Sequence, residues 1–199
     1  MAQYQFKVKG TMLKKMNKYK LVILIGKSGS GKDTILKEVL KHKDFNPVVS
    51  MTTRPPREGE VNGKDYFFVD NDTFTKYLLE DKLIEATIFN NWAYGTPYSS
   101  LSFEKTNIAV LNPDGVRILK EDNKLDVTVI YIDVSDKTRL IRQLQREENP
   151  NIQEILRRYG ADEKDFEPLK IQSLVNYKLC NETKEDLSYA ISFITEGQM

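Results

Sequence analysis

One cysteine, one histidine and one tryptophan in 199 residues remove several chemistries at once. A lone Cys180 excludes an internal disulfide and a cysteine-rich zinc site, and a reducing, cytoplasmic setting is expected. His42 stands between Lys41 and Lys43 and reads as a solvated side chain, which disfavours histidine acid–base catalysis and multi-histidine metal sites. No stretch approaches the roughly 20 apolar residues of a membrane helix. The N-terminus carries no apolar run of the secretory type. Lys and Arg number 30 against 29 Asp and Glu, a net charge of +1, so no global field draws nucleic acid or acidic membrane. Neither is expected as a partner. No repeat or low-complexity tract is visible.

What is present is a sequence of apolar runs separated by turn signals. Residues 21–25 are continuously apolar, as a buried parallel strand requires. Residues 26–34 follow as Gly-Lys-Ser-Gly-Ser-Gly-Lys-Asp-Thr, and a helical pattern begins at Thr34. Gly26, Gly31 and Lys32 match the phosphate-loop spacing, in the strand-to-helix setting that the motif needs. Glycines let backbone N–H groups curl around an anion, and the helix N-terminus adds partial positive charge. Lys27, Ser28, Gly29 and Ser30 complete the loop, and Lys32 can reach the outer phosphates. Asp33 stands where the pattern has Ser or Thr, with Thr34 next. The plain alternative is a Gly/Ser turn.

Further strands are expected at residues 47–50, 65–69, 83–89, 91–96, 107–111, 127–132 and 176–180. Helices are expected from Asn71 or Asp72 as cap to about 81, from Pro113 to about 121, and over 136–146 behind a Ser135 cap. Two more should run from about 152 and over 184–194. Strands alternating with helices indicate an α/β fold, a parallel sheet flanked by helices, with ligands beyond the strands' carboxyl ends. The phosphate loop, the 112–115 turn and the turn after Cys180 should meet at that edge. Residues 1–19 read as a basic N-terminal extension in which 4–8 could form a short strand. Residues 50–97 read as a strand-rich insertion, and 20–49 with 98–199 as the core.

Arginines supply the second theme. Arg54 and Arg57 flank a stiff Pro55-Pro56 pair in a long loop, where guanidinium groups can grip phosphate in a planar, bidentate way. Ser50, Tyr66 and Tyr94 could add hydroxyls. Arg139, Arg142 and Arg146 fall on one helical face, followed by Arg157 and Arg158. Solvated arginines are the plain alternative for both sets. A phosphate loop with two arginine groups suggests a site for several phosphates. Phe67, Phe68, Phe89 and Trp92 read as core, and Cys180 as a buried small hydrophobe.

The segment Ser50-Met-Thr-Thr-Arg-Pro-Pro-Arg-Glu-Gly-Glu-Val-Asn-Gly-Lys-Asp-Tyr-Phe-Phe-Val resembles the signature of the guanylate kinases. Leu83-Ile-Glu-Ala and Tyr94-Gly-Thr resemble that family's nucleotide-binding region, and the likeness runs over about residues 20–195. It implies a P-loop kinase fold with a GMP-binding insertion and a helical lid at about 142–158. It implies transfer of the γ-phosphoryl of ATP to GMP, with dGMP as an alternative acceptor and Mg²⁺ as cofactor, in a monomer or homodimer.

Carried over by resemblance, Ser50, Arg54, Arg57, Tyr66 and Tyr94 would hold the GMP phosphate. Glu85 would read guanine, Thr96 would assist, and Asn112 or Asp114 would supply a further base contact. Residues 26–34 and Asn181 would bind ATP. Lys32, Arg54, Arg142, Arg146 and Arg157 would stabilise the transferring group. Three departures stand out: Lys27 where the family has Pro, Asp33, and Leu111-Asn112-Pro113-Asp114-Gly115 for an Asp-Ile-Asp stretch before Gln-Gly. Other readings are a different nucleoside, deoxynucleoside or sugar-phosphate kinase, or a guanylate-kinase-like binding module of the scaffold type. Such modules lack the enzyme's phosphate loop, whereas Gly31 and Lys32 are retained here.

Overall fold

Strand β1 (Tyr19–Ile25) is buried from Leu21 onward, on both faces. Leu21, Ile23 and Ile25 enter one apolar cluster, and Val22 and Leu24 the other. Only a central strand covered on both sides has this pattern, and it is why the run does not alternate with polar residues. The computed structural model describes residues 18–57, 59–89, 91–146 and 148–197. The expected extension therefore lies outside the described residues, apart from its last two: Lys18, and Tyr19, which opens β1.

β1 pairs in parallel with β7 (Thr106–Val110) and β8 (Leu125–Asp133). β2 (Phe45–Pro47) and β9 (Tyr177–Cys180) close the edges, so the sheet order is β2-β7-β1-β8-β9. Helices α1 (Lys32–Val39) and α7 (Lys184–Thr195) pack on the Val22–Leu24 face through Ile35, Val39, Ala190, Phe193 and Ile194. The other face takes Val116 and Leu119 of α3 (Pro113–Glu121), with Phe166 at the C-terminus of α5 (Ile152–Asp165) and Ile171 of the short α6 (Pro168–Ile171). Helix α4 (Asp136–Gln145) follows β8 behind its Ser135 cap. All strands of this sheet are parallel, so the loops after β1, β7, β8 and β9 share one edge.

A second sheet, β4-β3-β6-β5, is built from β3 (Met51–Thr52), β4 (Phe67–Phe68), β5 (Leu83–Phe89) and β6 (Trp92–Pro97), with α2 (Asn71–Leu79) beside it. Several local expectations are corrected. The strand expected at 47–50 is instead the link between two strands: only Pro47, the last residue of β2, is in a strand, and β3 starts at Met51. The strand expected at 65–69 narrows to Phe67–Phe68. The α2 cap is Asp70, whose carboxylate accepts the Thr73 N–H at 2.7 Å. Cys180 is exposed rather than buried, at the end of the edge strand β9. Trp92 is 38% exposed, and Phe67 and Phe68 are half-buried, because the small sheet is only partly covered. The side chain of Phe89 lies outside the described residues. His42 is exposed, as expected.

Candidate active site

The loop between β1 and α1 puts its glycines to structural use. Gly31 has φ +89° and is the N-cap of α1, so no side chain caps the helix and its first N–H groups are open to an anion. Gly29, at φ +82°, lies against the Arg139 carbonyl, where a Cβ would collide with backbone. Lys32 folds back over the loop. Its ammonium donates to Gly26 O at 2.6 Å, Lys27 O at 3.2 Å and Ser30 Oγ at 3.3 Å. Burial pushes the Lys32 pKa down, and Asp33 and Asp162 oppose the shift.

Across the loop, Asn181 is buried and donates its amide to Ser30 O at 2.7 Å. Arg142 donates Nη2 to Asn181 O at 2.8 Å and to Glu182 O at 3.3 Å. Its Nη1 is buried and has no hydrogen-bond partner among the described residues. An orphaned guanidinium nitrogen beside an uncapped helix is a strong anion receptor. Gly31, Lys32 and Arg142 line a cavity of about 510 Å³ with Ser28, Gly29, Asp33, Thr34, Lys37, Gln143, Arg146 and Arg158. Asn181 lies outside that lining and faces an adjoining pocket that shares Gly31, Thr34 and Arg142.

The expected Arg157 is not among the lining residues. It is 63% exposed at its side chain and pairs with Glu154 at 2.6 Å. Its neighbour Arg158 lines the cavity while also reaching Glu154. Helical phase could have separated them. At about 100° per residue, Arg158 sits roughly 60° from Ile155 on the inward side, and Arg157 roughly 160° away.

The second group of expected residues gathers on the small sheet. Arg54 is only 8% exposed, and its Nη2 donates to both carboxylate oxygens of Glu60, at 2.7 and 3.0 Å. The guanidinium sits 5.7 Å from the ring centres of Tyr66 and Phe68. The Tyr66 and Tyr94 rings meet edge to face at 6.1 Å, and burial raises the Tyr66 pKa. Glu60 also accepts the Arg57 N–H at 2.6 Å, and its bond to Arg54 holds its carboxyl below the ordinary range. Glu60 was not singled out from the sequence, although its place three residues after Arg57 was the available signal.

A hydroxyl relay joins Ser50 to Glu85. Thr96 Oγ1 donates to Glu85 Oε1 at 2.7 Å, which leaves its lone pairs to accept from Ser50 Oγ at 3.0 Å. The relay exists because β5 and β6 pair antiparallel with Glu85 opposite Thr96, and β3 places its N-terminal neighbour Ser50 alongside. Burial raises the Glu85 pKa, opposed by the Thr96 hydrogen bond. Asn112 and Asp114 are engaged otherwise. Asn112 Oδ1 caps α3 by accepting the Gly115 N–H at 2.8 Å, and Asp114 pairs with Arg117.

The family model described as guanylate kinase matches residues 18–193. A protein named guanylate kinase from Mycoplasma capricolum is 38% identical over 145 residues, 69% of this chain and 49% of its own length, so the match spans about half of that relative. The pig protein of the same name is 34% identical over 178 residues, covering 85% of this chain and 88% of its own. A crystal structure of guanylate kinase from Anaplasma phagocytophilum superposes with a TM-score of 0.60 at 25% identity, covering 91% of this chain and 87% of that one.

Proposed function

The chain belongs to the guanylate kinase family, and on that premise we propose that it transfers the γ-phosphoryl of ATP to GMP, and to dGMP, giving ADP and GDP or dGDP. The observation that carries the acceptor is the Ser50–Thr96–Glu85 relay on the same small sheet as the buried Arg54. One end is a carboxylate suited to the paired N–H donors of guanine, which adenine lacks. The other end is a cation among tyrosine hydroxyls, suited to a 5′-phosphate.

ATP binds along the loop, with its phosphates against the α1 N-terminus, Lys32 and the free nitrogen of Arg142. Phosphoryl transfer needs little covalent help from protein, so catalysis here is positioning and charge stabilisation. Lys32, Arg142 and Arg146 face the transferring group, and Arg158 takes the place expected of Arg157. Arg54 and Arg57 hold the acceptor phosphate, and Tyr66 and Tyr94 orient it. No His, Cys, Asp or Glu cluster among the described residues could hold a resident metal. Asp33 and Thr34, which line the cavity, would supply hard oxygen donors for Mg²⁺ bound with ATP. When bound, it neutralises phosphate charge.

No described helix is long and apolar enough to cross a membrane, and ATP and GMP are the partners this reading requires. A coupled ADP-release assay with ATP and Mg²⁺ against GMP, dGMP, AMP, CMP and UMP, each alone, tests it. Turnover on GMP and dGMP is expected. Turnover confined to another nucleotide, or none in protein that binds ATP, would overturn the assignment.

A further inference from the structure

A buried charge cluster fastens the phosphate loop to α4 and α5. Arg139 is fully buried. It donates Nε to Asp136 at 2.8 Å, Nη1 to Asp162 at 3.3 Å and Nη2 to Glu163 at 2.7 Å. Its guanidinium lies 4.0 Å from the centre of the Tyr159 ring, whose hydroxyl donates to Asp136 at 2.8 Å. Both acids of α5 reach on to the loop. Asp162 Oδ2 accepts the Ser28 N–H at 2.8 Å, and Glu163 Oε1 accepts Lys27 Nζ at 2.6 Å. Gln143 of α4 donates to Ser28 O at 3.3 Å.

Burying Arg139 against Asp162 gains little net stability, because desolvation offsets their attraction, and Asp136 and Glu163 are half-exposed. Their geometry is more telling. Arg139 lies three residues before Arg142, and Asp162 four after Arg158, so each is one helical turn from an arginine of the cavity. Fixing Arg139 and Asp162 on each other fixes the two helices that carry those arginines. Fixing Asp162 on Ser28 sets both against the loop.

We propose that Arg139, Asp162 and Glu163 are positioning residues that lock α4 and α5 onto Lys27 and Ser28, so that Lys32, Arg142 and Arg158 converge on the phosphates of one ATP. The inference rests on the ATP-binding reading of the loop and deepens it. None of the three lines the cavity.

Glu163→Gln and Asp162→Asn preserve shape and remove charge. Binding of the non-hydrolysable β,γ-imido analogue of ATP, and separately of GMP, is measured by calorimetry well below each variant's melting temperature. The expected result is about a tenfold loss of analogue affinity in each, of the order seen when a supporting partner is removed, with GMP affinity within about twofold of wild type. Glu163→Asp should recover part of the loss. Unchanged analogue affinity with only a lowered melting temperature would overturn the proposal and leave the cluster a packing feature. If Asp162→Asn fails to fold, Glu163→Gln decides, since that carboxylate is 43% exposed. Analogue binding without phosphoryl transfer to GMP in the wild type would sink the kinase reading and not this one.

Discussion

The two candidate anion sites hold their cations in opposite ways. At the phosphate loop, Lys32 rests on two carbonyls and a hydroxyl, and Arg142 on two carbonyls with one nitrogen left over. Among the described residues no carboxylate bonds to either, so the positive charge stays available. On the small sheet, Arg54 is already paired in two bonds with Glu60. A phosphate arriving at the loop exchanges dipoles for an anion; one arriving at Arg54 must share it with a carboxylate. The first site is therefore electrostatically ready for a highly charged ligand, and the second suits a weaker anion whose binding is completed elsewhere, at Glu85. Burial shifts both Lys32 and Glu85 toward their neutral forms, so each gains from a ligand that stabilises its charge.

Removing Lys32 should break the comparison at its strongest point. Lys32→Met is expected to lower kcat by roughly 10³-fold, the scale of losing one preorganised donor to transition-state charge, while GMP binding stays nearly unchanged. Single-turnover rates and GMP calorimetry check both halves. Near-normal turnover would mean that the loop does not hold the transferring phosphoryl group.

Arg54→Ala should do the reverse at a smaller size. The KM for GMP is expected to rise by about 10²-fold, as for truncating a buried charge-assisted contact, with the KM for ATP moving less than about twofold. The loss should fall short of the Lys32 effect, since Glu60 already offsets part of this charge. Equal increases in both constants would show that Arg54 serves the whole cleft and that the two sites are not separate.

The loop site was legible because its chemistry is local. Glycines, lysine and the flanking strand and helix sit within 21 residues, Tyr19 to Val39, and the backbone does most of the work. The strand alternation likewise carried the parallel sheet. The insertion's residues were found through a resemblance, and their pairing was not: Glu60 on Arg54 and Thr96 on Glu85 follow from turn geometry and strand register. Least legible was the Arg139 cluster, in which Ser28 meets Asp162 across 134 positions. Periodicity placed Arg139 on a face with Arg142 and Arg146, but could not say that acids from α5 would bury it. Helical phase, which the motif resemblance does not carry, puts Arg158 rather than Arg157 on the cavity side of α5. Cys180 and Trp92 were misjudged from residue type alone, which says nothing about whether a neighbour covers them.

The smallest effect tests the acceptor end. The raised pKa of Glu85 means that its carboxylate takes up a proton, as pH falls, before an ordinary carboxylate would. In the interval between the ordinary and the raised value the folded state binds more protons than the unfolded one, so Glu85's contribution to stability declines as pH rises through it. Guanine binding should run the other way, because the two N–H donors require the ionised form. The KM for GMP is thus expected to rise on acidification toward the raised pKa, by up to about tenfold per pH unit below it. GMP's own phosphate also titrates, so the informative quantity is the difference from Glu85→Gln. That variant should lose about tenfold in preference for GMP over AMP, a hydrogen-bond-sized loss, and show no Glu85-dependent acid limb. Identical pH profiles in the two proteins would remove Glu85 from guanine recognition and leave the small sheet a phosphate site alone.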